Sequence, residues 1–337
     1  MACSGQPNAK ALVIFPGALG DFVCFLPALD RLSLLGQVHL LAKSEFRELL
    51  PPWIAVESIE RHEIGLAFVE SAVPDPALRT FLDSYSSIYS WMGGSDANYQ
   101  RNLRAASRAE VRCFPFRPKT TGVHISDYYL SCVGQNVESQ TPSSLFPTPE
   151  AVLWAEDYWS RRGLHGKDVL GIAPGSGARE KNWPLESFKK IIEWWQQERG
   201  RVIVFTGPVE EENGLAGRFG GGVLEVRGGQ LGRVAALLAR CSLYVGNDSG
   251  VTHLAAALGV GTLAIFGPTN PVEWRPRGRN VSLLSLRAPC SPCDRASMKL
   301  CRHRMCLNDL LAEVVTSSIQ KMSRSRGTHG RVHLDNI

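Results

Sequence analysis

The second half of the chain alternates short β-branched runs with helical patterns, and few folds accommodate that alternation. Runs at 169–173, 202–206, 223–226, 243–245 and 262–266 are separated by helical stretches at 185–197, 210–218, 231–240 and 252–258. Strand, loop and helix in repetition mean parallel strands joined by crossover helices. Most runs end in a glycine-containing loop (Gly175-Ser176-Gly177, Gly207, Gly246, Gly267). In open parallel sheets ligands bind outside the carboxyl ends of the strands, where such loops sit. The first half begins the same way, with a strand at 11–15, a loop at 16–20 and a helix over 22–34. Phe22, Phe25, Leu26, Leu29 and Leu32 share one face of that helix. Further strands are expected at 38–42 and 88–92.

A chain of 337 residues is too long for one ordinary core and suits two domains. Its 44% hydrophobic and 20% charged residues exclude a disordered, collagenous or coiled-coil chain. The segment 141–149, rich in Pro, Ser and Thr, reads as a linker. The expected division is a Rossmann-like domain over 1–150, a second over 151–322, and a basic flexible tail over 323–337. The favoured picture is α/β, two parallel sheets facing a central cleft. A net charge of +5 demands no wide basic surface, so no nucleic-acid partner is expected. The apolar stretch 11–29 is broken by Pro16, Asp21 and Pro27, so neither a membrane span nor a signal peptide is expected. Cys3, Cys24, Cys113, Cys132 and Cys241 are scattered, which suits reduced thiols in a cytoplasmic protein.

Four loops carry the candidate chemistry. In Pro16-Gly17-Ala18-Leu19-Gly20-Asp21 the glycines permit a sharp turn, and Asp21 reads either as a helix N-cap or as a general base for a sugar hydroxyl. The G-x-G-x-x-G spacing of a dinucleotide site is absent, which disfavours a nicotinamide oxidoreductase. In the loop 173–184, Gly175, Ser176, Gly177 and Lys181 suit a diphosphate, although a lysine on a loop is often merely solvated. The Walker pattern is not met. At 245–259, small and polar residues run straight into an Ala-rich helix, whose first amides and dipole make an anion site. Asp248 or Ser249 reads as its cap, and His253 as a residue packed within it. Phe266-Gly267-Pro268-Thr269-Asn270-Pro271 is a rigid turn. After the strand at 202–206, Glu210 and Glu211 read as ordinary first-turn acids or as ligands of a ribose.

Two clusters remain. Cys290 and Cys293 fit half of a zinc site, but Cys301 and Cys306 are poorly spaced to complete it. Thiols that are buried or able to form disulfides are expected instead, and no metal. Arg101, Arg104, Arg108 and Arg112 recur at helical spacing. They read as a solvated helix face, or as a patch for an anionic lipid acceptor at a membrane surface.

Taken in order, Pro16-Gly-Ala-Leu-Gly-Asp21, Pro174-Gly-Ser-Gly with Lys181-Asn-Trp-Pro184, Asn247-Asp-Ser-Gly-Val-Thr-His-Leu-Ala-Ala-Ala257 and Phe266-Gly-Pro-Thr-Asn-Pro271 resemble glycosyltransferase family 9. These are the ADP-heptose:lipopolysaccharide heptosyltransferases. The likeness spans roughly 11–309 and is poorest over 45–149. It implies a GT-B fold with an acceptor-binding first domain and a nucleotide-sugar-binding second. It also implies inversion at the anomeric carbon without a metal or other cofactor. Asp21 matches the family's proposed base, and Ser176 and Lys181 match residues near the donor phosphates. Asp248, Ser249, Gly250, Thr252 and His253 match the donor sugar and diphosphate site. Glu211, with Glu210 beside it, is placed on the adenosine ribose. Gly20, Arg101, Arg104 and Arg108 are assigned to the acceptor. The implied partners are ADP-heptose and a lipid-linked saccharide, reached from the cytoplasmic face of the inner membrane. The same machinery with another nucleotide sugar, or a catalytically silent binding module, are the alternatives. The presence of both Asp21 and Lys181 argues against silence.

Overall fold

The computed structural model describes residues 10–71, 73–134, 145–198, 200–207, 211–212, 214–215 and 217–327. The chain divides into two compact units between Thr148 and Pro149. In the first unit the strands are β1 (Lys10–Ile14), β2 (Gln37–Ala42), β3 (Ala55–Ser58), β4 (Ser87–Ser90) and β5 (Glu110–Cys113), ordered β3-β2-β1-β4-β5. All pairs are parallel, and central Val13 lies opposite Leu40 on one side and Tyr89 on the other. Leu12, Val13, Ile14 and Phe15 are fully buried, as a strand covered on both faces must be. Leu12 and Ile14 pack with Leu41, Leu78, Leu82, Ile88 and Tyr99. An aromatic cluster joins the helix Leu19–Ser33 to the helix Ile125–Cys132: Phe15 stacks on Phe25 at 4.2 Å and meets the edge of Tyr129 at 5.4 Å.

The second unit holds β6 (Asp168–Ala173), β7 (Gly200–Thr206), β8 (Val223–Arg227), β9 (Leu243–Asn247), β10 (Gly261–Ile265) and β11 (Val281–Leu284), ordered β11-β10-β9-β6-β7-β8 and all parallel. Its core includes Trp183, Phe188, Ile191 and Trp195 from the segment after β6. Each such side chain contributes about 1.5–3 kcal/mol of burial. Chain order reverses between β1 and β4 in one sheet and between β6 and β9 in the other. At such a reversal the loops leaving neighbouring strands diverge and open a crevice. Asp21 follows β1; Lys181 follows β6 and Asp248 follows β9. Topology thus sets the candidate residues at the switch points.

Several local expectations differ. The helix after β1 begins at Leu19 with Ala18 as its cap, so Asp21 lies in the first turn and is not the N-cap. The arginines do not share a helix. Arg101 and Arg104 lie on the helix Ala97–Ala106, Arg108 lies in the bend after it, and Arg112 is on β5. Pairing of β5 with β4 overrides the helical spacing. Of the helix expected at 210–218, residues 211–212 are helical, whereas Gly214 and Gly217 sit in turns with φ of +65° and +77°. Those left-handed conformations suit glycine and end a helix. Pro149, read as linker, starts the helix Pro149–Arg161, where its ring suits the first turn. Of the rest of that linker, 141–144 lie outside the described residues. Of the tail expected at 323–337, residues 323–327 belong to the helix Ala312–Gly327, and 328–337 lie outside the described residues. Among the described residues no helix is long and apolar enough to cross a membrane.

Candidate functional site

In the first unit the residues after β1 are held by contact. A Cβ on Gly17 would lie 2.3 Å from the Phe15 ring and 2.7 Å from the Asp21 Cβ, so only glycine lets this turn close against the helix. Asp21 then occupies the first turn, where the helix dipole favours a carboxylate. Its side chain is 13% exposed, and its Oδ1 lies 2.7 Å from Arg117 Nη2. That oxygen is buried without a directed hydrogen bond among the described residues. Arg117 is fixed from two further sides. It donates from Nη1 to the Tyr129 hydroxyl at 2.8 Å, and its guanidinium lies 4.1 Å from the Phe116 ring centre. Burial pushes the Tyr129 phenol well above its usual range, although Arg117 pulls it the other way, so Tyr129 stays neutral. Gly20 is the helix's second residue and half-buried. Arg101 and Arg104 are exposed and donate to Asn98 and Gln100, while Arg108 is exposed in its bend. None of these three arginines has an ion pair to Asp21 among the described residues; Arg117, its side chain 42% exposed, supplies it, and no pattern in the sequence distinguishes it from its basic neighbours.

In the second unit the loop 174–184 is tied down by Asn247, the last residue of β9. Asn247 is fully buried; its Nδ2 donates to the Pro174 carbonyl at 2.7 Å, and its Oδ1 accepts from the Trp183 amide at 2.9 Å. The indole of Trp183 donates to the Leu310 carbonyl at 3.0 Å, and Arg304 donates to the Asn182 carbonyl. Both ends of the loop are thus clamped. Ser176 is buried, and its hydroxyl lies 2.6 Å from Asn182 Oδ1 and 2.7 Å from the Ala178 carbonyl, so it folds the loop instead of projecting from it.

The clamped loop carries Lys181 to Asp248, with Nζ 2.8 Å from Oδ2. Asp248 is 6% exposed, and the other carboxylate oxygen lies 3.8 Å from His253 Nε2. Burial alone would raise the Asp248 pKa, but the His253 imidazole and Lys181 ammonium outweigh it and hold the group at about 2. Ser249 caps the helix Gly250–Ala257 by accepting from the Thr252 amide. Thr252 is fully buried, with Oγ1 2.5 Å from the Asn247 carbonyl it donates to. A Cβ on Gly246 would lie 2.3 Å from the Tyr244 hydroxyl and 2.8 Å from Thr252 Oγ1, so glycine is needed there too. Glu211 is exposed after β7, its amide donating to the Gly207 carbonyl at 3.0 Å; Glu210 lies outside the described residues. Thr206 Oγ1, at the end of β7, and Thr269 Oγ1, past the end of β10, are buried without a hydrogen-bond partner among the described residues. Buried hydroxyls of that kind call for a polar partner. Among the described residues no group of three or more His, Cys, Asp or Glu side chains is placed to hold a metal ion.

The structure therefore joins Lys181, Asp248 and His253 in one network and assigns Ser176 and Thr252 to its scaffold. Sequence reasoning missed Asn247 and Arg117. Asn247 had a signal, a polar side chain closing an otherwise apolar strand, whereas Arg117 was one base among many.

Comparison with known proteins places these motifs. A Campylobacter jejuni protein named lipooligosaccharide heptosyltransferase 2 is 29% identical over 167 residues, covering 47% of this chain and 52% of its own. The chain thus matches about half the length of such curated relatives. A glycosyl transferase family 9 structure from Veillonella parvula covers 96% of this chain and 99% of its own, with 18% identity and a TM-score of 0.73. The structure of Escherichia coli ADP-heptose lps heptosyltransferase II covers 94% and 99%, with 16% identity and a TM-score of 0.68. At those identities the likeness shows the fold, two parallel-sheet α/β units of the GT-B class. The model of glycosyltransferase family 9 (heptosyltransferase) matches residues 134–302, half of the sequence, and the chain belongs to that family.

Proposed function

We propose that this chain is an inverting, metal-independent glycosyltransferase that moves heptose from ADP-heptose to a lipopolysaccharide core acceptor. The observation that carries the reading is Lys181 held against buried Asp248 beside the start of the helix Gly250–Ala257, at the switch point of the second sheet. Breaking the bond to the anomeric carbon releases a nucleoside diphosphate. Lys181 and the first-turn amides of that helix meet the charge that develops on it. One preorganised donor of this kind lowers a barrier by about 2.7–4 kcal/mol. Asp248 keeps Lys181 aimed, and Glu211 or Glu210 takes the ribose hydroxyls.

Asp21 removes the proton from the acceptor hydroxyl as that oxygen attacks, and the proton ends on its carboxylate. Arg117 orients the carboxylate for this role. The acceptor belongs to the first unit, with Gly20, Arg101, Arg104 and Arg108 as its contacts, and the reaction takes place at the cytoplasmic face of the inner membrane. The names of the relatives support heptose and ADP-heptose as the donor pair. The test is a panel of nucleotide sugars offered with a heptose-deficient core acceptor, product being read by mass spectrometry. Heptosylated product from ADP-heptose is expected. Transfer from a different donor alone would replace the substrate assignment, and donor binding without turnover on any acceptor would make the chain a binding module.

A further inference from the structure

Cys290, Cys293, Cys301 and Cys306 line one small cavity of the second unit, together with His303 and Arg304. All four are free thiols; Cys290 is exposed and Cys306 buried. The Cys293 thiol donates to the Cys290 carbonyl at 3.2 Å, which holds it against the Cys290 backbone. This cavity is wired to the donor loops. The Cys293 amide donates to the Pro268 carbonyl at 2.8 Å, and the Ser291 hydroxyl donates to the Gly267 carbonyl at 2.6 Å. Across the cavity Arg304 bonds to Asn182, on the loop that carries Lys181, and Glu180 of that loop lines the wall.

We propose that Cys290 and Cys293 are a reversible oxidation site whose disulfide changes the loops 176–184 and 266–270. The oxidant is a low-molecular-weight disulfide. The Cys290 thiolate attacks one of its sulfurs, giving a mixed disulfide and releasing one small thiol. Cys293 then loses its proton to solvent and attacks the Cys290 sulfur, releasing the second. Two protein S–H bonds are lost, one protein S–S bond forms, and the reagent is reduced to two thiols. Exposure makes Cys290 the point of entry. Burial, with neighbouring thiols, raises the Cys293 pKa. A thiol that resists ionisation is a poor leaving group, so the closed disulfide resists reduction.

The test equilibrates the full chain with glutathione disulfide and reads three quantities. Intact mass is expected to fall by about 2 Da, with peptide mapping joining Cys290 to Cys293. Hydrogen exchange at 176–184 and 266–270 is expected to change by about threefold or more and to revert with dithiothreitol. ADP dissociation constants are expected to differ by about threefold between the two forms. Cys290→Ser and Cys293→Ser should each abolish all three responses. A bond joining a different pair, a stable glutathione adduct, or a disulfide that leaves loop exchange unchanged would overturn the proposal. The ADP measurement alone rests on the donor reading above. If ADP binds neither form while the loops respond, that reading falls and the oxidation site stands.

Discussion

Asp21 and Asp248 each follow a central strand of a parallel sheet, and each faces a cation, yet their surroundings differ. Asp248 is nearly inaccessible and enclosed by His253 and by Lys181, which rides on a loop that Asn247 clamps at both ends. Asp21 faces a single, partly exposed Arg117 and keeps one oxygen without a directed hydrogen bond. A carboxylate whose charge is fully compensated serves to fix its partner. One that is incompletely satisfied is free to accept a proton. On the proposed mechanism the same residue type serves opposite tasks, because burial and hydrogen bonding differ.

The largest test of this contrast is Asp21→Asn. Transfer should fall by about 10²- to 10⁴-fold while ADP affinity holds, as measured by initial rates and calorimetry. A comparable loss of ADP affinity would erase the distinction. Asp248→Asn should instead lower stability, toward the low end of the about 3–5 kcal/mol seen when one partner of a buried pair is removed. Urea unfolding checks it. The effect has a pH signature: the folded pKa of Asp248 lies below the ordinary 3.8, so its stabilisation is complete above that value and lost as pH falls toward about 2. The difference between wild type and variant should shrink over that window.

Asn247→Ala removes two buried hydrogen bonds and should cost about 1–3 kcal/mol, with weaker ADP binding because Lys181 is no longer held. Unfolding and calorimetry together separate the two consequences. The smallest effect is expected for Arg117→Lys, which keeps the charge but loses the fork that spans Asp21 and Tyr129. The turnover number should drop by about tenfold with little change in the donor Michaelis constant. An equal loss in both would mean that Arg117 serves the donor.

Much of the fold was legible. The strands of the second sheet and the loops after β1, β6 and β9 follow from β-branched runs and glycine punctuation, because parallel strands buried on both faces tolerate little else. Elsewhere local pattern misled. Arg108 and Arg112 continue a helical spacing, but β5 gains a ladder with β4 that the helix could not offer. Gly214 and Gly217 interrupt an apparent helix through conformations that spacing alone does not display.

By itself the sequence determined the parallel α/β architecture, the family and the loops that bear Asp21, Lys181 and Asp248, since periodicity and motif order are properties of neighbouring residues. Only the tertiary structure decided which groups meet. Lys181 reaches Asp248 across 67 residues of sequence, Arg117 reaches Asp21, and Ser176 turns inward. Charge pairing and burial depend on distances in space, and those are set when the sheets assemble.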